Sequence, residues 1–176
     1  MNALPENIQK YLTVWNDTLA RGVLLDEQPE LAGLMDEPNT RQTLLDWLAG
    51  SESLAPQNAR LTANALQFLR PQAQSSDAPI VRKLLMHPDA IVRLRTYEFL
   101  LTLYFPDKNP EALIMLLNSM LMDADDTIRT QGVRYIQRAN AVTELRDFLV
   151  SWQQAAAGRG WLNSESYELV QQLLNT

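Results

Sequence analysis

The stretch His87–Leu100, HPDAIVRLRTYEFL, decides how this chain is read, because Asp123–Ile136, DADDTIRTQGVRYI, repeats its plan thirty-six positions later. Aligning Asp89 with Asp125 pairs Val92 with Ile128, Arg93 with Arg129, Thr96 with Gly132, Tyr97 with Val133, Phe99 with Tyr135 and Leu100 with Ile136. A fainter copy sits thirty-three residues before the first, where Ala59, Arg60 and Ala63 take the places of Val92, Arg93 and Thr96. Each copy follows a shorter helical segment and a tight turn. A two-helix unit recurring at such an interval is the signature of an α-solenoid.

Each residue type in the plan has a physical reason. An Asp at the turn accepts hydrogen bonds from the first free amides of the following helix and sets negative charge at the positive end of its dipole. The Val or Ile packs back on the preceding helix. The Arg, one turn further on, can bridge to an acid in its own or the next unit. The small residue (Ala63, Thr96, Gly132) lets two helices approach closely.

Working outward, helical spacing dominates. Residues 4–25 place Ile8, Tyr11, Leu12, Trp15 and Leu19 on one face of a single predicted helix, with Pro5 in its first turn and Gly22 near its end. A short helical piece over 28–38 closes at Pro38, and a helix from Asn39 or Thr40 stops at Gly50. Pro56 and Pro71 bound the next. A polar loop at 72–77 leads to a short helix over 78–88, then to a longer one from the cap Asp89 to just before Pro106. Asn109 caps a helix beginning at Pro110, Asp125 caps the following one, Thr143 caps a helix ending near Gly158, and residues 163–176 form the last. No segment alternates with period two and no Asn-Gly or Asp-Gly hairpin signal appears, so little β-structure is expected. Short turns between helices imply antiparallel neighbours. The helices at 91–105 and 112–122 are apolar almost all round, which requires cover on more than one side.

The two arginine-bearing stretches resemble the second helices of HEAT repeats, whose pattern is Asp, then Val-Arg, then small and apolar residues. The resemblance covers about residues 77–140, and is weaker over 39–70. The chain departs from the pattern at bulky Tyr97 and Phe99, at Asn64 in place of an apolar residue, and in a last helix pair without the Arg. The resemblance implies an all-α, right-handed solenoid of about four antiparallel helix pairs with an N-terminal capping helix. The expected organisation is one domain: a cap over 1–38, a repeat core over 39–140 and a C-terminal pair over 141–176. It also implies a scaffold or protein-binding role.

Composition narrows the function. The 176 residues are 46% apolar and 20% charged, ordinary for a folded chain. Net charge is −6, and residues 1–50 hold eight acids against Lys10, Arg21 and Arg41. A general electrostatic grip on nucleic acid is not expected, and a basic partner fits better. The absence of cysteine rules out disulfides and thiolate chemistry and fits a reducing cytoplasm. The start, MNALPENIQK, has no signal-peptide pattern. The apolar runs, such as Ala112–Leu117, are far short of the about twenty residues a membrane span needs.

No residue set signals catalysis, a metal or a cofactor. His87, the only histidine, lacks signalled partners and precedes Pro88 in a turn. Asp123, Asp125 and Asp126 start like a calcium loop, but the later ligands are missing, and capping explains them. The acids at 26–30, Asp36 and Glu37 read as a solvated edge or a surface for a basic partner. Arg93 and Arg129 read as structural. Placing Val92, Thr96, Leu100 and Leu103 inward turns Arg95, Glu98 and Thr102 outward, with Gln131, Arg134 and Arg138 as counterparts. In a superhelix of this kind these residues line the concave side as a polar, locally basic groove. Trp161, after a helix-breaking GRG, is a candidate anchor for a partner. Three functional classes follow. The first is a non-catalytic protein-binding module, including an inhibitor or immunity-type protein covering a basic partner. The second is a DNA-binding or DNA glycosylase enzyme of the HEAT-like kind, and the third a HEAT-like chromophore-lyase subunit.

Overall fold

Periodic apolar residues, caps and prolines divide the chain into helices, and the computed structural model, which describes residues 3–105 and 110–175, contains only helical elements and turns among them. The α-helices are α1 (Glu6–Thr13), α2 (Thr18–Glu27), α3 (Pro38–Ala49), α4 (Ala59–Leu69), α5 (Ala78–Arg82), α6 (Ala90–Tyr104), α7 (Pro110–Leu121), α8 (Asp126–Arg138), α9 (Val142–Ala156) and α10 (Glu165–Leu174). Short 3-10 turns link several of them, the longest being Pro29–Asp36. The chain divides into two compact units, Met1–Leu103 and Tyr104–Thr176, a division that falls at the end of α6.

In the first unit, Ile8, Tyr11 and Leu12 of α1 are buried, as are Leu44, Leu45, Trp47 and Leu48 of α3 and Leu66, Phe68 and Leu69 of α4. α1 packs on α4, and α3 packs on α4 and α5. α6 buries Val92, Thr96, Leu100 and Leu103 as the helical spacing predicts, and also Tyr97, Phe99 and Leu101, so it is covered on several sides. Asn64 departs from the apolar pattern for a reason: its buried amide donates to the Leu12 carbonyl at 2.6 Å and accepts from Asn16 Nδ2 at 2.7 Å, tying α4 to the end of α1. A buried amide with both ends satisfied avoids the about 1–3 kcal/mol penalty of an orphaned polar group.

The single helix expected over 4–25 is two. Asp17 Oδ1 accepts from the Ala20 amide at 2.9 Å and starts α2, while the Trp15 amide bonds back to the Leu12 carbonyl at 3.3 Å. The break turns Leu19 outward, to 81% exposure, and leaves Gly22 in the middle of α2. Pro38 opens α3 where the sequence suggested a stop, and Glu37 precedes it without a side-chain cap, so neither Asn39 nor Thr40 takes that role. Thr143 is likewise inside α9, which starts after Ala141 without a side-chain cap. Asn109 and Pro106 lie outside the described residues.

In the second unit α8 packs on α7 and α10, and α10 packs on α9. The core is Leu113, Leu117, Met120 and Leu121 of α7, Ile128, Val133 and Ile136 of α8, Leu145, Leu149 and Trp152 of α9, and Val170 and Leu173 of α10. Trp152 Nε1 donates to the Leu121 carbonyl at 2.6 Å, satisfying the last turn of α7. Asn140 closes α8 in the left-handed region at φ 52°, a conformation Asn tolerates better than most residues. Gly132 is the closest approach: a Cβ there would lie 2.9 Å from Met120 Cβ. Neither atom sits on a flexible end, so the helices must separate to admit a methyl. Gly132→Ala is expected to destabilise the protein by about 1–3 kcal/mol in urea denaturation, despite the better helix propensity of Ala; a stability equal to or above that of the native chain would refute the close packing.

Candidate functional site

The two copies of the arginine plan build the same local structure. Arg93 Nη1 donates to the carbonyls of His87 and Pro88 at 2.9 and 3.0 Å. Arg129 Nη1 donates to the carbonyls of Asp123 and Ala124 at 2.9 and 2.8 Å, the same positions thirty-six residues on. The turn in front is also shared. The Asp89 amide donates to His87 Nδ1 at 3.0 Å, and the Asp125 amide donates to Asp123 Oδ1 at 2.9 Å. The leading Asp then caps the helix in both, Asp89 Oδ1 on the Ile91 amide at 2.9 Å and Asp125 Oδ1 on the Ile128 amide at 3.2 Å. His87 thus works as a turn-forming acceptor, which assigns its proton to Nε2, an atom that is buried and has no partner among the described residues. The faint third copy lacks this clasp: Arg60 is exposed, and Asn58 does not cap α4 but donates to the Glu52 carbonyl at 3.0 Å.

The acids of the would-be calcium loop are all committed to protein donors. Asp126 receives the Ser166 hydroxyl at 2.6 Å and the Glu165 amide at 3.0 Å, and pairs with Arg129 Nη2 at 3.0 Å. Arg129 itself is 2% exposed, its Nε donates to Ser166 Oγ at 3.2 Å, and its guanidinium carbon lies 4.1 Å from the Trp161 ring centre. Burial opposes ionisation of Asp126, but the Ser166 hydroxyl, the Arg129 charge and the Glu165 and Ser166 amides outweigh it and hold the carboxyl below the usual range. The Lys83 pKa is also lowered, there because burial disfavours its charge; it donates to the Ala49 carbonyl and to the Gly50 carbonyl at 3.1 Å, closing α3.

The residues singled out for partner contact fall in both units. In the first, Arg95 and Glu98 are half-buried and joined at 2.7 Å, and Glu98 also accepts from Arg70 at 3.2 Å. Hydrogen bonding orients the Gln67 amide with its oxygen on Arg95 Nε and Nη2, both at 2.9 Å, and its nitrogen on Asn16 Oδ1 at 3.0 Å. Asn64, Asn16, Gln67, Arg95, Glu98 and Arg70 therefore form one polar chain across α4 and α6. Of these the sequence singles out Arg95 and Glu98 as outward-facing and Asn64 as a break in the apolar pattern; Asn16, Gln67 and Arg70 carry no spacing signal. In the second unit Gln131 is half-buried, and Arg134 and Arg138 are exposed on α8. Arg134 pairs with Glu165 at 2.8 Å, while Arg138 lies 5.5 Å from the Tyr135 ring centre. Trp161 is half-buried, stacked on Trp152 at 5.7 Å and contacted by Arg129 and Arg159. Its indole is thus already engaged in holding the α9–α10 turn against α8.

Such a set of helices defines an all-α protein, with charged and polar side chains arrayed on helix faces. No family model, no curated protein and no solved structure matches the chain. No helix among the described residues is long and apolar enough to cross a membrane.

Two outcomes follow from the clasp. Arg129→Met strands two turn carbonyls and the Asp126 carboxylate, and is expected to cost about 3–5 kcal/mol in urea denaturation, more than Arg93→Met at a half-exposed position. Because the folded-state pKa of Asp126 is depressed, its contribution to stability is present above about pH 4, the unfolded carboxyl value, and fades as pH falls through the lower folded value. The stability gap between native chain and Asp126→Asn should therefore narrow as the pH is lowered from 7 to 3; a pH-independent gap would exclude the charge of Asp126 as its source.

Proposed function

We propose that this chain is a non-catalytic protein-binding module, a short right-handed HEAT-like solenoid of antiparallel helix pairs. The observation that carries the reading is the recurrence of one device, the turn, cap and arginine clasp of 87–93 and 123–129, once in each unit. A local structure rebuilt at a fixed interval supports a repeat architecture, and the resemblance to HEAT repeats then supports a role in holding another protein. The contact residues in this reading are Arg95, Glu98, Gln131, Arg134 and Arg138, with Trp161 at the last turn.

The charge arrangement weighs against a nucleic-acid partner. Of the three arginines expected to make a basic groove, Arg95 is held by Glu98 and Arg134 by Glu165, so two of the cations are already answered within the chain. Phosphate binding depends on cations free to replace counterions. The full chain, tagged and isolated from its native host, is expected to travel with one protein in a defined ratio by size exclusion and mass spectrometry, and Arg134→Glu with Arg138→Glu should release it. Fluorescence anisotropy with a labelled duplex should show little binding at physiological salt. Tight DNA binding that falls steeply with salt would overturn the reading.

A further inference from the structure

Helix α2 buries none of its ten residues. Leu19 and Val23 are 81% and 52% exposed, and Asp26 and Glu27 are exposed one turn further on. The spacing 19, 23, 26, 27 sets all four on one helix face, apolar at the start and acidic at the end. Beside this face lies a groove of about 350 Å³ walled by Glu6, Gln9, Lys10, Thr13, Val14 and Leu24.

The charges around α2 are not balanced within the chain. Lys10 is paired with Glu6 at 3.0 Å, Arg41 with Asp77 at 2.6 Å, and Arg21 donates to the Trp15 carbonyl at 3.2 Å and lies over its ring. Asp26, Glu27, Glu30 and Glu37 are exposed and make no ion pair among the described residues. An exposed apolar stripe running into unanswered carboxylates favours a ligand with the complementary order, apolar side chains followed by lysine or arginine. A second copy of this chain would bring acid against acid, and an anionic lipid surface would be repelled in the same way.

We propose that the α2 face and the adjoining groove dock a basic amphipathic helix of a partner protein. The apolar stripe of that helix covers Leu19 and Val23, and its cations meet Asp26, Glu27 and Glu30. The proposal rests on the reading of the chain as a protein-binding module and adds where the partner sits and what chemistry it presents. Its residues are acidic and apolar, and none of Arg95, Arg134 and Arg138 belongs to it.

Because α2 has no buried residue, its variants can be tested in the full chain without touching the core. The probe is a fluorescein-labelled eighteen-residue amphipathic peptide of leucine and lysine, with a leucine–glutamate peptide as control, followed by anisotropy at physiological salt. The lysine peptide is expected to bind and the glutamate peptide not to. Leu19→Gln with Val23→Gln, which leaves the charge unchanged, should weaken binding by about tenfold or more, as should Asp26→Lys with Glu27→Lys. Arg134→Glu with Arg138→Glu should leave it unaltered. Peptide binding indifferent to Leu19→Gln with Val23→Gln would overturn the proposal as diffuse charge attraction. So would a concentration-dependent dimer, or binding to phosphatidylserine vesicles, that this pair of substitutions abolishes. A native complex that survives the α2 variants would overturn this docking site while leaving the protein-binding reading intact; the absence of any native complex would instead remove that reading.

Discussion

A guanidinium set on the carbonyls of a tight turn is the interaction on which the rest of the structure depends. Tight turns leave carbonyls without helical partners, and the chain that leaves α7 or the 3-10 turn at Lys83–Met86 enters the next helix within a few residues. Arg93 and Arg129 each reach from the next helix and answer two turn carbonyls, those of His87 and Pro88 or of Asp123 and Ala124, with one nitrogen. A lysine carries the charge but not the planar fork that leaves further donors for other partners. At Arg129 those donors go to Asp126 and Ser166, and the flat face of the group rests against Trp161. Burying that cation would cost several kcal/mol if it were alone. With a carboxylate, two carbonyls, a hydroxyl and an indole around it, the cost is offset, and the start of α10 is tied to the start of α8.

The same economy of charge runs through the exposed faces. Most of the arginines are answered inside the chain, by Glu98, Asp77, Glu165 or an aromatic ring. Among the acids of the first forty residues Glu6 pairs with Lys10 and Asp17 caps α2, while Asp26, Glu27, Glu30 and Glu37 make no ion pair among the described residues. The exposed acids Asp26, Glu27, Glu30 and Glu37 therefore make a region where a partner with positive charge gains. Surface pairs such as Arg134–Glu165 are worth little to stability, about 0–1 kcal/mol, so their effect on partner choice outweighs their effect on folding.

Much of the helical layout was legible before any coordinates. The recurrence of Asp, apolar and Arg located the starts of α6 and α8, because capping and clasping are local and act over a few residues. Gly132 was legible as a close-approach position because it falls at the small-residue place of the repeat, in line with Ala63 and Thr96. The break between α1 and α2 is not legible in the sequence, since the apolar spacing of Ile8, Tyr11, Trp15 and Leu19 fits one helix. The Asp17 cap competed with that spacing and won, and Leu19 moved from the core to the surface. Asn64 departs from an apolar stripe, and its partners, the Leu12 carbonyl and Asn16, lie fifty-two and forty-eight residues away.

What the sequence by itself determined is the class of element and some local devices: helices, the Asp89 and Asp125 caps, the recurring arginine position and the acid-rich first fifty residues. These depend on residues close together in the chain, where spacing alone sets geometry. Only the tertiary structure decided which charges are spent internally, that Trp161 is held by Trp152 and Arg129, and that α2 stays bare. Those outcomes depend on contacts between residues far apart in sequence, and no periodicity within a helix records which distant side chain will arrive to meet it.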